Sequence, residues 1–301
     1  MAIVTTSAVY RSLKLTLEDI FTDSFENAKK NMCWPKYMPP SSMEDSYVDD
    51  LEMAGPGLLT EKPEAQDSAV GTIMEGFPTR YIARTFAMRL LISEEALEDE
   101  KYDQVLVQAK RLNYSAIKTQ ELDAANVLNR ATNTSYVGGD GQPLASASHA
   151  LPGGGTYSNT MTTPFAPSRA AVIIATTAIR KLPGPSGIID NYMPTTVVFP
   201  VDQWAAWEGI LNTPKVPESN ANEINAVYTM LDIKPVAVPY WTNTTNYLFK
   251  TDAPDGLTWK WRRKVRNRTW VDNDAEVMKY SISYRSARGW SNPRGVFFVN
   301  A

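Results

Sequence analysis

The hydrophobic and polar positions change period several times along the chain, and each change marks an element. Thr16-Leu17-Glu18-Asp19 fits a capping box, and Ile20, Phe21, Phe25 and Ala28 follow at helical spacing, predicting a helix that ends before Trp34-Pro35. Pro39-Pro40 extends the break, so this piece reads as an arm with little core of its own. Tyr47 to Met53 predicts a strand, Gly55-Pro56-Gly57 interrupts it, and the polar run from Glu61 to Ser68 makes a tip. Tyr81 to Met88 predicts the returning strand, with Ile82, Phe86 and Met88 on one parity and Tyr81, Thr85 and Ala87 on the other. An isolated hairpin is marginal in water, so this one is expected to lie on a neighbouring copy or on another part of the fold.

Ser93 then fits a helix cap, with Glu94, Glu95, Glu98 and Asp99 where the helix dipole favours acids. Val105, Ala109, Leu112, Ala116, Ala124, Val127 and Ala131 recur on one face, a pattern of about 35 residues without proline or glycine. Such a helix extends about 50 Å and reads as a strut, with heptads too poor for a coiled coil. Asn133 to Thr163 is a glycine- and serine-rich loop of a length that points to function or an interface. Beyond it the pattern predicts a helix from Ser168 to Lys181 and a strand from Thr195 to Pro200. A helix capped by Asp202 and another from Asn222 to Leu231 follow. Short strands are predicted at 236–238, 247–249 and 257–259. The last element, Val277 to Ala287, sets Met278, Tyr280, Ile282 and Tyr284 against Lys279, Ser281, Ser283 and Arg285, one face buried and one exposed.

The 301 residues allow two ordinary domains or one large elaborated one. Cys33 is the only cysteine, which excludes an intramolecular disulfide and a cysteine-built zinc site; a half-buried free thiol is expected, with a bridge between two copies through Cys33 as the alternative. The amino terminus does not read as a signal peptide, and Ala170 to Ile179 is too short to span a bilayer, so the expectation is a soluble intracellular product without membrane contact. A net charge of −3 is the wrong balance for a protein whose main task is gripping nucleic acid. Its distribution says more. Ser41 to Val70 holds eight acids against Lys62, and Asp255 to Trp270 holds six bases against Asp255. Separated tracts of this kind suit copies that pair head to tail, and equally two solvated faces.

No constellation supports catalysis. His149, the only histidine, lies in the glycine-rich loop with no neighbouring ligands in sequence. Gly138-Gly139-Asp140-Gly141 and Gly153-Gly154-Gly155 lack the Gly-Lys-Ser/Thr of a phosphate loop. Asp272-Asn273-Asp274 lacks the spacing and terminal Glu of a calcium loop. No metal or cofactor is expected. The tract Trp259 to Arg266 interleaves aromatics with cations, which suits nucleic-acid stacking. It fits better as a strand with Trp259, Trp261, Arg263 and Val265 on one face and Lys260, Arg262, Lys264 and Arg266 on a basic outer face.

Several motifs together carry a resemblance. They are Glu61-Lys62-Pro63-Glu64 ahead of Gly76-Phe77-Pro78-Thr79-Arg80-Tyr81, then Leu122 to Asn129, then Asp140-Gly141-Gln142-Pro143-Leu144 with Ser148-His149. The ending from Arg285, through Trp290-Ser291, to Pro293-Arg294-Gly295 completes the set. With the order of parts, the chain resembles the major capsid proteins of tailed bacteriophages, in the branch of Mu-like head subunits. That resemblance implies an α+β, Hong Kong 97-like capsid fold. Its parts are an N-terminal arm (1–45), a long β-hairpin E-loop (46–91) and a peripheral domain with a long spine helix and the glycine-rich loop (92–166). A mixed α/β axial domain (167–256) and strands returning to the peripheral domain (257–301) complete it. It implies a structural, non-enzymatic subunit that self-assembles as pentamers and hexamers into an icosahedral head shell around double-stranded DNA, touched non-specifically. Scaffolding, portal and decoration proteins are the other expected partners, and assembly is expected in the host bacterial cytoplasm, ending in the virion. Without a long coiled prefix, scaffolding is expected to be separate or unnecessary. Expected contacts between copies fall at Asp49, Asp50, Glu52, Glu61, Phe77, Arg80, Arg84, Lys260, Arg262 and Lys264. The alternative on the same fold is an encapsulin-like nanocompartment shell; a soluble enzyme with an unrecognised site is a third reading.

Overall fold

The structure, a computed structural model, describes residues 6–93, 95–96, 102–161, 163–215, 224–272 and 277–300. In chain order its elements begin with α1 (Thr6–Lys29), α2 (Trp34–Tyr37), β1 (Pro40–Ser42), β2 (Tyr47–Ala54), β3 (Met74–Ile82) and β4 (Arg84–Ser93). Then come α3 (Tyr102–Asn129), β5 (His149–Ala150), β6 (Thr156–Tyr157), α4 (Arg169–Arg180), β7 (Pro194–Pro200), α5 (Trp204–Leu211) and α6 (Ala226–Met230). The chain closes with β8 (Lys234–Val238), β9 (Tyr247–Thr251), β10 (Leu257–Asp272), β11 (Val277–Trp290) and β12 (Val296–Val299).

Two four-stranded sheets organise these elements. One has the order β1-β10-β11-β4 and the other β12-β9-β7-β8, while β2 and β3 form a separate antiparallel ribbon. The alternation read in the last element holds along β11: Met278, Tyr280, Ile282 and Tyr284 are buried and the residues between them are not. That buried face receives the long helix α3 and, across it, α1, in a cluster that includes Leu13, Leu17, Ala109, Leu112 and Ile282. Asn113 ties the layers: its Nδ2 donates to Ser24 Oγ at 2.7 Å and its Oδ1 accepts from the Tyr280 hydroxyl at 2.9 Å. The second sheet packs on α4, α5 and α6 around Val197, Trp207, Tyr247 and Phe249. Between the two units, Trp34 stacks on Trp259 with ring centroids 4.5 Å apart, in a cluster that also holds Tyr37, Leu128 and Phe298.

Several expectations need correction. The first helix begins by Thr6, not at Thr16, and Leu13 and Leu17 are buried against α3, so this segment contributes to a core. The strand expected over Tyr81 to Met88 is two strands that part at Ala83. There the Ala83 N–H donates to Ser46 O at 2.9 Å; β3 stays with β2 while β4 turns into the large sheet beside β11. Ser93 does cap locally, its Oγ accepting from Ala96 N at 3.3 Å, but it ends β4, and Glu94, Glu98 and Asp99 lie outside the described residues. Asp202 sits in a 3-10 turn, and α5 starts at Trp204 without a side-chain cap. Asn225, whose side chain accepts from Val227 N, starts α6; Asn222 is not among the described residues, and neither are Asn273 and Asp274.

Strand β10 is far longer than three residues, and its parity is broken. The pairing runs Trp261↔Ser286, Arg263↔Arg285, Arg266↔Ser283, so Arg262 and then one further residue bulge out. A bulge inserts one residue and turns the residues after it to the other face. Arg263 therefore leaves the tryptophan face and joins Arg285 on the outer one, against the simple alternation.

Candidate assembly surface

The ribbon β2–β3 inverts the usual arrangement. Side chains of a strand alternate between faces, and in β2 Tyr47, Asp49, Leu51 and Met53 are exposed while Val48, Asp50, Glu52 and Ala54 turn inward. Two carboxylates thus point at the body, and an apolar row that includes Leu51 and Met53, with Ile82 opposite Tyr47, points away.

Each inward carboxylate meets a cation from the far end of the chain. Lys260 Nζ donates to Asp50 at 2.6 and 2.5 Å, and Ser291 Oγ donates to the same carboxylate at 2.9 Å. The Tyr81 hydroxyl lies 2.7 Å from Ser291 Oγ, and Lys260 Nζ sits 4.6 Å from the centre of the Tyr81 ring. Two residues on, Arg294 NH1 donates to Glu52 at 2.9 and 3.1 Å. Arg294 is itself 1% exposed, donates from Nε to Pro183 O at 2.7 Å and lies over the Tyr157 ring at 4.5 Å. Burial pushes the Glu52 carboxyl above its ordinary value even beside Arg294, which pulls it down. Desolvation therefore outweighs the attraction, as is common for buried pairs.

The glycine-rich loop passes beneath this base. A Cβ on Gly139 would lie 2.6 Å from Pro78 O, and one on Gly138 would lie 2.9 Å from Trp290 Nε1, so only glycine allows the approach. His149 pins the loop. It is buried, with Nδ1 2.6 Å from Asp140 Oδ2 and Nε2 3.1 Å from Asn159 Oδ1. Asn159 Nδ2 donates to Leu144 O and Pro293 O. The segment expected to be long and irregular is thus ordered by side chains buried within it.

On the outward face Arg80 and Asp49 stand opposite each other and form a bidentate pair, both contacts 2.7 Å, with the guanidinium 4.8 Å from the Tyr47 ring centre. The hydrogen bonds from Arg80 hold the Asp49 carboxyl below its usual range. Beside the ribbon, a groove of about 640 Å³ is lined by Arg80, Arg84, Arg130, Asp123, Tyr136 and Arg288, among others. Within it Arg288 pairs with Asp123 at 2.6 Å.

Of the residues singled out in the sequence, Asp49, Asp50, Glu52, Arg80 and Lys260 find partners inside the chain and moor or stiffen the hairpin. Phe77 is half-buried where the β2–β3 register shifts, and Arg84 is exposed at the groove. Glu61, Arg262 and Lys264 are exposed, and neither cation pairs with an acid among the described residues. Beyond the ribbon base, 55–73 is exposed throughout, with Leu58, Leu59, Val70 and Ile73 uncovered. Sequence reasoning gave no role to Ser291 or Arg294, whose mooring partners lie more than 200 positions away in the chain. Among the described residues no group of His, Cys, Asp and Glu could hold a metal ion, and no helix is long and apolar enough to cross a membrane. Cys33 is a half-buried free thiol.

A family model for phage capsid protein matches residues 76–299. No curated protein matches the chain in sequence. Among solved structures, the virus-like particle from Pyrococcus furiosus aligns with a TM-score of 0.54 at 9% identity, covering 95% of this chain and 98% of that one. Microbacterium phage Oxtober96 aligns at 0.54 and 10% identity, covering 89% and 90%. The procapsid of bacteriophage JBD30 aligns at 0.53 and 10% identity, covering 99% of this chain and 76% of that one. At such identities the likeness is one of fold.

Proposed function

Because this chain belongs to the phage capsid protein family, we propose that it builds the icosahedral head shell of a tailed bacteriophage from pentamers and hexamers of itself. It is a structural shell protein and a virion component. Double-stranded DNA is the enclosed cargo, touched non-specifically; scaffolding, portal and decoration proteins are the other partners, and the host cytoplasm is where the shell forms. The division into arm, E-loop, peripheral domain, axial domain and returning strands, with the boundaries 1–45, 46–91, 92–166, 167–256 and 257–301, belongs to the same reading.

The observation that carries this proposal is the ribbon. Its base is held to the body by Asp50–Lys260 and Glu52–Arg294, while an apolar outward face and the whole of 55–73 are left exposed by the described residues of this chain. Exposed, unpaired hairpins are poorly stable alone and are ready templates for a neighbour. A contact repeated around every subunit turns weak affinity into avidity. Asp49, Arg80, Glu61, Phe77, Arg84, Arg262 and Lys264 then contribute to contacts between copies, with Asp50, Glu52 and Lys260 setting the hairpin angle. Deleting Pro56 to Val70 tests this: stable shells should vanish while the subunit keeps its fold by circular dichroism. Shells of normal yield from the deletion would overturn the role given to the hairpin. The nanocompartment alternative shares the fold, and the family match favours the phage reading; nucleic acid copurifying with particles, against a peptide-tagged enzyme, separates the two.

A further inference from the structure

The groove beside the hairpin root carries more positive charge than the acids in its walls answer. Those walls come from the β3–β4 junction, the end of α3, the segment 136–138 and the last residues of β11. Of its arginines, Arg80 is held by Asp49 and Arg288 by Asp123, while Arg84 and Arg130 make no ion pair among the described residues. Both nevertheless act on the same point. Burial pushes the Asp123 carboxyl above its ordinary value, and Arg288, Arg130 and Arg84 in turn pull it back. Burial likewise lowers Arg288, and Arg84 and Arg130 add their repulsion against the attraction of Asp123 and Tyr284. One carboxylate thus stands among three guanidinium groups. Aromatic rings hold two of these in place: Arg130 lies 4.4 Å from the centre of the Tyr136 ring and Arg288 5.2 Å from that of Phe86.

Two unpaired guanidinium groups call for a dianion, and guanidinium forks match the oxygens of phosphate. Unanswered polar atoms in the same walls narrow the choice. Ser286 Oγ and Trp290 Nε1 are buried without a hydrogen-bond partner among the described residues, and so is Asp123 Oδ2, which can only accept while ionised. A dianion that meets Arg84 and Arg130 beside that oxygen must itself bring a proton to it. Hydrogenphosphate has the charge and an O–H; sulfate has the charge and no proton. We propose that this groove binds inorganic hydrogenphosphate, with Arg84 and Arg130 donating to its oxygens and Asp123 accepting from its hydroxyl. The groove, about 640 Å³, is larger than the ion, so water completes its shell. Bound there, the ion ties the hairpin root to α3 and β11 and stabilises the fold by mass action. The site lies within one chain and does not depend on shell formation.

The test is isothermal titration calorimetry of the full chain with sodium phosphate and with sodium sulfate at matched ionic strength. It is run at about pH 8, where inorganic phosphate is mostly the singly protonated dianion. Phosphate should bind at least about tenfold more tightly than sulfate, and at a hundredfold excess over Kd should raise the melting temperature by about 4 °C. Arg130→Gln, at an exposed position, should weaken phosphate at least about tenfold. Asp123→Asn should bring sulfate level with phosphate, since an amide can donate where the carboxylate could only accept. Should Asp123→Asn fail to fold, the phosphate-to-sulfate ratio of wild type and the Arg130→Gln titration still decide the matter. Absence of saturable phosphate binding, equal affinity for sulfate in wild type, or unchanged affinity in Arg130→Gln would each overturn the proposal. Competition with oligonucleotides separates the sources of phosphate. A 5′-phosphorylated strand that displaces the ion where its unphosphorylated twin does not would overturn the free ion as occupant in favour of a nucleic-acid end. Displacement by neither strand supports the free ion.

Discussion

Replacing Arg294 by Met tests whether the carboxyl-terminal end truly moors the hairpin. The guanidinium is 1% exposed and holds Glu52, Pro183 O and Asn292 Oδ1 at once. Removing it leaves the Glu52 carboxylate, whose side chain is 18% exposed, without its cation. Stripping one partner from a buried pair costs about 3–5 kcal/mol, and the partial exposure of Glu52 argues for the lower part, about 3–4 kcal/mol. At about 2.1 cal/mol/K per residue, unfolding this chain carries about 0.6 kcal/mol/K, so Arg294→Met should lower the melting temperature by about 5–6 °C. Glu52→Gln should cost much less, about 1–2 kcal/mol, because burial already opposes the charged carboxylate. Differential scanning calorimetry of the purified subunit at pH 7 reads both. A melting temperature for Arg294→Met within about 1 °C of wild type, or a larger loss for Glu52→Gln than for Arg294→Met, would refute the reasoning.

Three further outcomes come from the packing. Leu17→Ala should destabilise by about 2–5 kcal/mol in urea titration, because Leu17 is fully buried between α1, α3 and β11; an arm without a core would tolerate it. Gly295→Ala should cost more than about 3 kcal/mol or prevent soluble expression, since a Cβ there would lie 2.4 Å from Gly256 Cα. Glu121 accepts from Cys33 N at 2.6 Å and from Trp34 N at 3.4 Å, and burial raises its carboxyl above the ordinary 4.5. A raised acid binds its proton more readily in the folded state, so its contribution is most favourable below about 4.5 and declines as pH climbs through the raised value. Urea midpoints should therefore show wild type losing ground to Glu121→Gln between about pH 4.5 and pH 7; parallel profiles would contradict the assignment.

What the sequence made legible was local. The period of two in β11 is written in Met278, Tyr280, Ile282 and Tyr284, and the helical stripe of α3 in Val105, Ala109 and Leu112; both lie on faces that bury against each other. The break at Ala83 was not legible because Tyr81 to Met88 is a continuous run of strand formers; only the Ser46 carbonyl and the rival partner β11 divide it. The bulges of β10 were hidden for a similar reason. Nothing in Trp261-Arg262-Arg263 marks which residue is extra, since that is set by the pairing with β11. The acidic and basic tracts were visible as composition, yet Asp50 with Lys260 and Glu52 with Arg294 are pairings across most of the chain, which no spacing encodes. The start of α1 is hidden because the capping-box pattern at Thr16 lies inside a helix that already runs from Thr6, with Leu13 and Leu17 on either side of Thr16 buried against α3.

The central claim is that this subunit closes into shells with itself. Negative-stain electron microscopy of the chain expressed alone, beside its mass by light scattering, addresses that most directly. Closed shells, tubes or capsomer rings of many copies are predicted, with mass far above the 33.5 kDa of one chain. A stable monomer at 33.5 kDa that forms no particles even at high concentration would contradict it.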